Sequence, residues 1–138
     1  MLQSIAYFNH SIQKYWADEN YFGYVYLISN LKDNRYYVGK KFFTKSSRKQ
    51  IKGKTKKVRV TSDWMKYWGS NKTVQEDVEK HGAENFKREI LYLCKTRSEC
   101  SYYESLEIFT RGALIKQEYY NDWISCRIRK AHLKNLLI

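Results

Sequence analysis

The chain has 138 residues, no proline and no Gly/Ser-rich linker, which predicts a single domain over residues 1–138 with a modest core. Lys and Arg number 26 against 14 Asp and Glu, so the net charge is +12. Such an excess favours a polyanionic partner, because cations that meet phosphates release counterions. The cysteines Cys94, Cys100 and Cys126 show no CxxC pair and support neither a disulfide framework nor a zinc site.

No segment approaches transmembrane length, and the N-terminus lacks a basic region followed by a long apolar stretch. We therefore expect no membrane partner, no signal peptide and a location in a reducing cytoplasm. Residues 2–18 carry apolar side chains at helical spacing, which predicts an amphipathic N-terminal helix as an accessory element.

Two β-type runs come next, over residues 22–29 and 35–43. Residues 30–34 between them are rich in turn formers, so the unit predicts a β-hairpin. The hairpin places several tyrosines on facing strands beside Gly39 and Lys40, which predicts a polar site at one end.

A strongly basic stretch follows the hairpin. Residues 40–62 contain ten Lys or Arg and no Asp or Glu. Within it, residues 44–61 have few apolar anchors and predict a basic loop, either flexible or folded as a loosely held hairpin. Such a segment often becomes ordered only against its partner.

Two helices are predicted after the basic stretch. Ser62 or Asp63 would cap a short helix over residues 64–68. A second helix is predicted over residues 73–81, and Gly82 would end it.

The last part of the chain predicts one strand and two more helices. Within residues 86–94, Ile90, Tyr92 and Cys94 alternate with Leu91 and Leu93, so both faces carry apolar side chains. This predicts a strand that is buried on both faces and central in its sheet. Ser98 would cap a helix that runs to about Gly112. Residues 119–122 would form a loop, and residues 123–137 would form a basic helix. The order of elements predicts an α+β fold.

The predicted hairpin resembles the two motifs of the GIY-YIG nuclease family. Tyr24-Val25-Tyr26 stands at the first motif, with tyrosine in place of its opening glycine, and Tyr37-Val38-Gly39 stands at the second. Residues 67–71 and 80–90 resemble segments that accompany these motifs in phage-encoded and homing-type members. The resemblance implies a small three-stranded antiparallel sheet flanked by helices.

The resemblance also implies a catalytic site. Glu104 would hold Mg²⁺ (or Mn²⁺), with Glu107 as the reserve ligand three positions on, although a lone helical glutamate is ordinarily a solvated surface residue. Tyr26 would act as general base, yet a phenol titrates near ~10 and needs nearby positive charge to favour the phenolate. Tyr37 would hydrogen-bond water or phosphate.

The arginine that the family carries after its second motif has no clear counterpart here. Arg48 or Lys41 would take its role at the phosphate, and for Arg48 a nonspecific backbone contact is the alternative. Asn121 matches the asparagine that follows the glutamate helix in the family. It would either orient a catalytic group or cap the last helix.

The resemblance, together with the basic charge, implies a metal-dependent endonuclease that hydrolyses duplex DNA, in the host cytoplasm if phage-encoded. Without a separate DNA-reading domain it would cut with loose specificity, act as an oligomer, or use the basic loop for readout. A catalytically inactive nucleic-acid-binding module and a protein with an acidic protein partner are the alternatives. The predicted DNA contacts are Lys40, Lys45, Lys49, Lys52, Lys54, Lys56, Lys57, Arg59, Arg127 and Lys130.

Overall fold

The computed structural model describes residues 21–138, and the predicted helix over residues 2–18 lies outside them. The strands are β1 (Gly23–Asn30), β2 (Arg35–Phe42), β3 (Thr44–Ile51), β4 (Lys54–Thr61) and β5 (Phe86–Cys94). The α-helices are α1 (Lys72–His81) and α2 (Arg97–Arg111). Short 3₁₀ turns cover Trp64–Lys66, Ala83–Asn85 and Lys130–Leu136.

Three strands form an antiparallel sheet in the order β2-β1-β5. The β1–β2 hairpin places Tyr26 opposite Gly39, and β5 pairs along the other edge of β1, with a register shift between Val25 and Tyr26. Because β1 has a neighbour on each edge and packing on each face, all eight of its residues are buried. The predicted α+β fold with a small three-stranded antiparallel sheet is confirmed.

Alternating side chains of β1 supply two hydrophobic cores, one on each face of the sheet. Tyr24 and Ile28 pack on one face with Trp64, which is fully buried. Val25 packs on the other face with Ile108 of α2. This second core holds α2 against the sheet and thereby fixes the position of the helix that carries Glu104.

Strand β5 covers the predicted residues 86–94, but it lies at an edge of the sheet, so the predicted central position is wrong. Phe86 and Ile90 pack in the first core, whereas Leu91 and Cys94 pack in the second. The apolar side chains of β5 show that both faces of this strand are packed against other elements. Packing on the faces does not decide which strands form hydrogen bonds at the edges, and the central strand is β1.

Both α-helices begin earlier than predicted. The Asn71 side chain accepts hydrogen bonds from two backbone N–H groups of the first turn of α1. Thr96, not Ser98, caps α2 in the same way. Gly82 and Gly112 follow the last residues of the two helices, as predicted. No helix within residues 21–138 is both long and apolar enough to cross a lipid bilayer.

Two other predicted helices are not formed. The one over residues 64–68 is reduced to a 3₁₀ turn at Trp64–Lys66, without a side-chain cap bond. The one predicted over residues 123–137 is wrong, because residues 121–129 are irregular and a 3₁₀ turn covers Lys130–Leu136. Most side chains of this segment are exposed, so it buries no continuous apolar face that would stabilise a helix.

Residues 44–61 form a regular antiparallel hairpin, so the prediction of a flexible loop is wrong and the alternative of a hairpin describes them. Lys52 and Gly53 join β3 to β4 with φ values of 52° and 75°. Positive φ at both turn residues is the backbone of a type I′ turn, which matches the twist of the strands. The sequence did not predict β3 and β4 as regular strands, because their side chains are almost all polar.

Candidate functional site

A cavity of about 390 Å³ opens beside β2, between the start of α1 and the middle of α2. Four parts of the chain line it: Tyr37, Val38 and Lys40 of β2; Ser70, Asn71 and Lys72; Glu104 and Ile108 of α2; and residues 121–125. Most of these side chains are polar or charged, so the cavity suits a charged ligand.

Glu104 lies on the α2 side of the cavity and pairs with Lys40. Its Oε1 is 3.3 Å from Lys40 Nζ, and Lys40 Nζ also donates to Ser101 Oγ at 3.0 Å. The Glu104 side chain is 18% exposed. Burial raises the pKa of Glu104, and the neighbouring Lys40 ammonium opposes that rise. The site therefore combines a partly desolvated carboxylate with one cation.

Glu107, the reserve ligand, makes other contacts. It accepts hydrogen bonds from Tyr92 Oη at 2.9 Å and from Arg111 Nε at 2.7 Å. Both of its oxygens are thus engaged on the surface of α2, and Glu107 does not line the cavity.

Asn121 completes the outer edge of β2. Tyr36 N–H donates to Glu118 O at 2.8 Å, and Tyr120 N–H donates to Tyr36 O at 2.7 Å, so this segment runs parallel to β2. Asn121 extends the ladder with its side chain: Oδ1 accepts from Val38 N–H at 3.0 Å, and Nδ2 donates to Val38 O at 2.8 Å. No helix begins here, so the predicted capping role of Asn121 is wrong.

Tyr26, Tyr37 and Tyr67 form a phenol cluster next to the cavity. The ring centroid of Tyr26 is 6.3 Å from that of Tyr37 and 6.3 Å from that of Tyr67. Ser70 Oγ lies 3.4 Å from Tyr37 Oη and also contacts the Tyr67 hydroxyl. Tyr37 lines the cavity, whereas Tyr26 lies deeper and is 3% exposed.

Two glycines make room for the phenol cluster. A Cβ atom on Gly39 would overlap the phenol of Tyr26, its partner in the β1–β2 register. A Cβ atom on Gly69 would lie 2.9 Å from Cε1 of Tyr37, and the Gly69 φ of +88° disfavours any other residue. The space beside Gly39 is therefore taken by the Tyr26 ring.

The electrostatics keep the phenols neutral at neutral pH. Burial raises the pKa of Tyr26 well above its usual value, and the nearby Tyr37 phenol and Glu104 carboxylate raise it further. Burial also raises the Tyr37 pKa, while the hydrogen bond with Ser70 opposes the rise. The Glu104 carboxylate raises the pKa of both tyrosines, so its negative charge lies close to the phenol cluster. A base role for Tyr26 therefore requires additional positive charge at the site.

Neither predicted substitute for the family arginine lines the cavity. Lys41 Nζ lies 2.7 Å from Asp63 Oδ1 and 3.8 Å from the centroid of the Tyr67 ring, so it contacts the phenol cluster from another side. Arg48 lies on β3, exposed and opposite Lys57.

The cavity instead presents Lys40 and Lys72. The sequence predicted Lys40 as a DNA contact, either at the phosphate of the site or as part of the basic face, and indicated no role for Lys72, Ser70 or Tyr67. The signal for Ser70 and Tyr67 was the resemblance over residues 67–71, which accompanies the tyrosine motifs but does not by itself show a contact with their side chains.

The predicted DNA contacts fall into three groups. Lys40 lies in the cavity, and Arg127 and Lys130 are exposed near the C-terminus. The other seven are exposed on the β3–β4 hairpin: Lys45, Lys49, Lys52, Lys54, Lys56, Lys57 and Arg59.

The acidic residues fit a metal ion that needs few protein ligands. Within residues 21–138, no three His, Cys, Asp or Glu side chains converge on one point. Mg²⁺ commonly binds through one or two carboxylates and completes its coordination with water and substrate phosphate. A partly buried carboxylate that faces a roomy polar cavity, as Glu104 does, matches that requirement.

Comparison with known proteins gives one family over most of the chain. The family model described as "Putative endonuclease segE, GIY-YIG domain" matches residues 6–124. The chain is also similar to "Putative endonuclease segE" of Enterobacteria phage T4, with 42% identity over 55 residues. That match covers 40% of this chain and 26% of the relative, so the chain spans much less than the relative's full length. No solved structure matches.

Proposed function

The chain belongs to the GIY-YIG endonuclease family, and on that premise we propose that it is a metal-dependent endonuclease that hydrolyses DNA phosphodiester bonds. The observation that carries the proposal is the partly buried Glu104 carboxylate, which faces Lys40 in a cavity that Tyr37 lines. The net charge of +12 supports a nucleic acid substrate.

Lys40 and Lys72 would bind the scissile phosphate. Both line the cavity, and Lys40 Nζ is already 3.3 Å from the Glu104 carboxylate. Their ammonium groups would stabilise the negative charge that develops on the phosphate oxygens in the transition state. In this proposal Lys40 and Lys72 supply the positive charge at the phosphate that the family resemblance assigned to Arg48 or Lys41.

Glu104 would hold Mg²⁺ (or Mn²⁺), which when bound polarises a phosphate oxygen and lowers the pKa of coordinated water. Asn121 would keep the edge of β2 in place, because both of its hydrogen bonds go to the backbone of Val38. Ser70 would orient the Tyr37 hydroxyl toward the attacking water.

Tyr26 would accept a proton from the attacking water at its Oη, after first losing its own phenolic proton to solvent. Its pKa is raised by burial and by nearby phenols and carboxylate, so the phenolate is scarce at neutral pH. Positive charge in the cavity favours the phenolate and would bring Tyr26 into its basic form when the site is loaded.

Plasmid nicking tests this proposal. We expect the wild-type protein to nick supercoiled plasmid with Mg²⁺ and to stop with EDTA. Glu104→Gln should lose at least ~100-fold in rate, because it removes the carboxylate that would hold the metal, and losing one group that stabilises transition-state charge commonly costs that much. Glu107→Gln is the matched control on the same helix and should nick like the wild type. Wild-type nicking by a folded Glu104→Gln variant would refute the assignment.

An inactive DNA-binding module is the second candidate. It is favoured by the raised pKa of Tyr26 and by the position of Arg48 away from the cavity. The same assay separates the two candidates. A wild-type protein that retards plasmid on a gel, yet cuts none with Mg²⁺ or Mn²⁺, would be such a module.

A further inference from the structure

The β3–β4 hairpin carries an unbalanced positive charge. Its residues 44–61 include eight Lys or Arg and no Asp or Glu. The ion pairs formed within residues 21–138 involve other cations, so none of these eight is paired with a carboxylate. The two strands pair with each other and with no third strand in the described chain. Within the described residues, the hairpin is thus an arm whose cations form no ion pair with an acidic side chain.

The cross-strand register places like charges directly opposite one another. Arg48 pairs with Lys57, and at the next position Lys49 pairs with Lys56. Like charges directly opposite in an antiparallel pair are destabilising. Two successive pairs of this kind lie one on each face of the hairpin. A bound polyanion would stabilise the hairpin, because its negative charge would offset the repulsion within each pair.

The hairpin has two chemically different faces, because directly opposite residues share a face and successive residues alternate. One face, here called the arginine face, consists of polar and cationic side chains: Ser46, Arg48, Gln50, Thr55, Lys57 and Arg59. The other, here called the lysine face, carries Lys45, Lys49, Lys54 and Lys56 together with the aliphatic Ile51, Val58 and Val60.

The outer half of the arginine face has free side chains. Arg59, near the base, donates hydrogen bonds to Thr44 and Ser46 and is thereby held. Within residues 21–138, Arg48, Gln50 and Lys57 make no side-chain hydrogen bond and are exposed. Arginine and glutamine are the side chains that read guanine and adenine with paired hydrogen bonds in the major groove.

We propose that the β3–β4 hairpin enters the major groove of duplex DNA and that Arg48, Gln50 and Lys57 contact base edges. Each strand has eight residues, so the hairpin is about 27 Å long at ~3.4 Å per residue. A major groove about 12 Å wide admits a two-stranded ribbon. The lysines of the opposite face and Lys52 in the turn serve the flanking phosphates, which give affinity without sequence choice.

Duplex DNA fits this arm better than duplex RNA does. The major groove of A-form RNA is deep and narrow, and side chains do not read it. This inference rests on the proposed function in one respect, that the ligand is DNA, and it does not require that the protein cleave DNA. Binding and cutting can therefore be measured separately.

Selection from a random duplex library in EDTA tests the inference without cleavage. The intact protein should enrich a short motif. Arg48→Lys keeps the charge but removes the paired hydrogen bonds, so it should lose about tenfold of the preference at one position of the motif while the salt dependence of binding stays unchanged. Gln50→Ala should relax a neighbouring position in the same way.

Lys49→Gln, one position away on the opposite face, is the matched control. It should weaken binding to all duplexes alike and reduce the salt slope by about 1. If no motif is enriched, or if Arg48→Lys weakens all sequences equally, base reading by the hairpin is refuted. Preference for duplex RNA over duplex DNA would refute it as well.

The nicking assay separates this inference from the proposed function. If the protein binds a motif through Arg48 but never cuts DNA, base reading by the hairpin would be supported and the proposed nuclease function would be refuted. If the protein cuts all sequences without preference, the proposed nuclease function would be supported and base reading by the hairpin would be refuted.

Discussion

Replacing Asn121 with alanine tests how the cavity is held together. The substitution removes two hydrogen bonds, from Val38 N–H at 3.0 Å and to Val38 O at 2.8 Å. Each such bond contributes about 0.5–1.5 kcal/mol net, so the free energy of unfolding should fall by about 2 kcal/mol. Val38 itself is 1% exposed, which limits how well water can replace the lost partners.

Urea unfolding followed by tryptophan fluorescence measures this loss. With a urea dependence of about 2 kcal/mol per molar, the midpoint should drop by about 1 M. Asn121→Asp keeps the acceptor for Val38 N–H but sets an oxygen against Val38 O, so it should be no more stable than the alanine variant. Gln117→Ala, an exposed amide in the preceding loop, is the control and should leave the midpoint unchanged. A midpoint for Asn121→Ala within about 0.2 M of wild type would show that the two hydrogen bonds to Val38 do not stabilise the protein as stated.

Two more predictions concern the buried hydroxyls. Gly39→Ala should cost about 1–3 kcal/mol in unfolding free energy, because its methyl group would overlap the Tyr26 phenol, and a wild-type urea midpoint would contradict this contact. Tyr120 accepts from Asn30 Nδ2 at 2.9 Å and donates to Asp77 Oδ2 at 2.6 Å, and burial raises its pKa from 10.0 to about 12. The unfolded chain therefore loses this proton first, so stability should fall as pH rises from 10 toward 12. Tyr120→Phe should flatten that part of the pH profile, and an unchanged slope would contradict it.

The sequence alone determined most of the secondary structure and the hairpin that carries the tyrosine motifs. Local turn chemistry at residues 30–34 and alternating apolar residues over 86–94 act over short distances, so the hairpin and β5 are readable without the fold. Glycine after a helical stretch ends it locally, as Gly82 and Gly112 do. The tyrosine motifs likewise lie in one hairpin, whose register brings Tyr26 and Gly39 together.

Tertiary structure decided what depends on distant partners. The edge position of β5 depends on which strands pair in the sheet, and the absence of the last helix depends on which surfaces other elements cover. The spacing of apolar residues along the sequence shows neither. Asn121 binds Val38 across 83 positions of sequence, and Lys40 meets Glu104 only because α2 packs on the sheet. Contacts of that kind are set by how elements pack, so no local pattern in the sequence could have placed them.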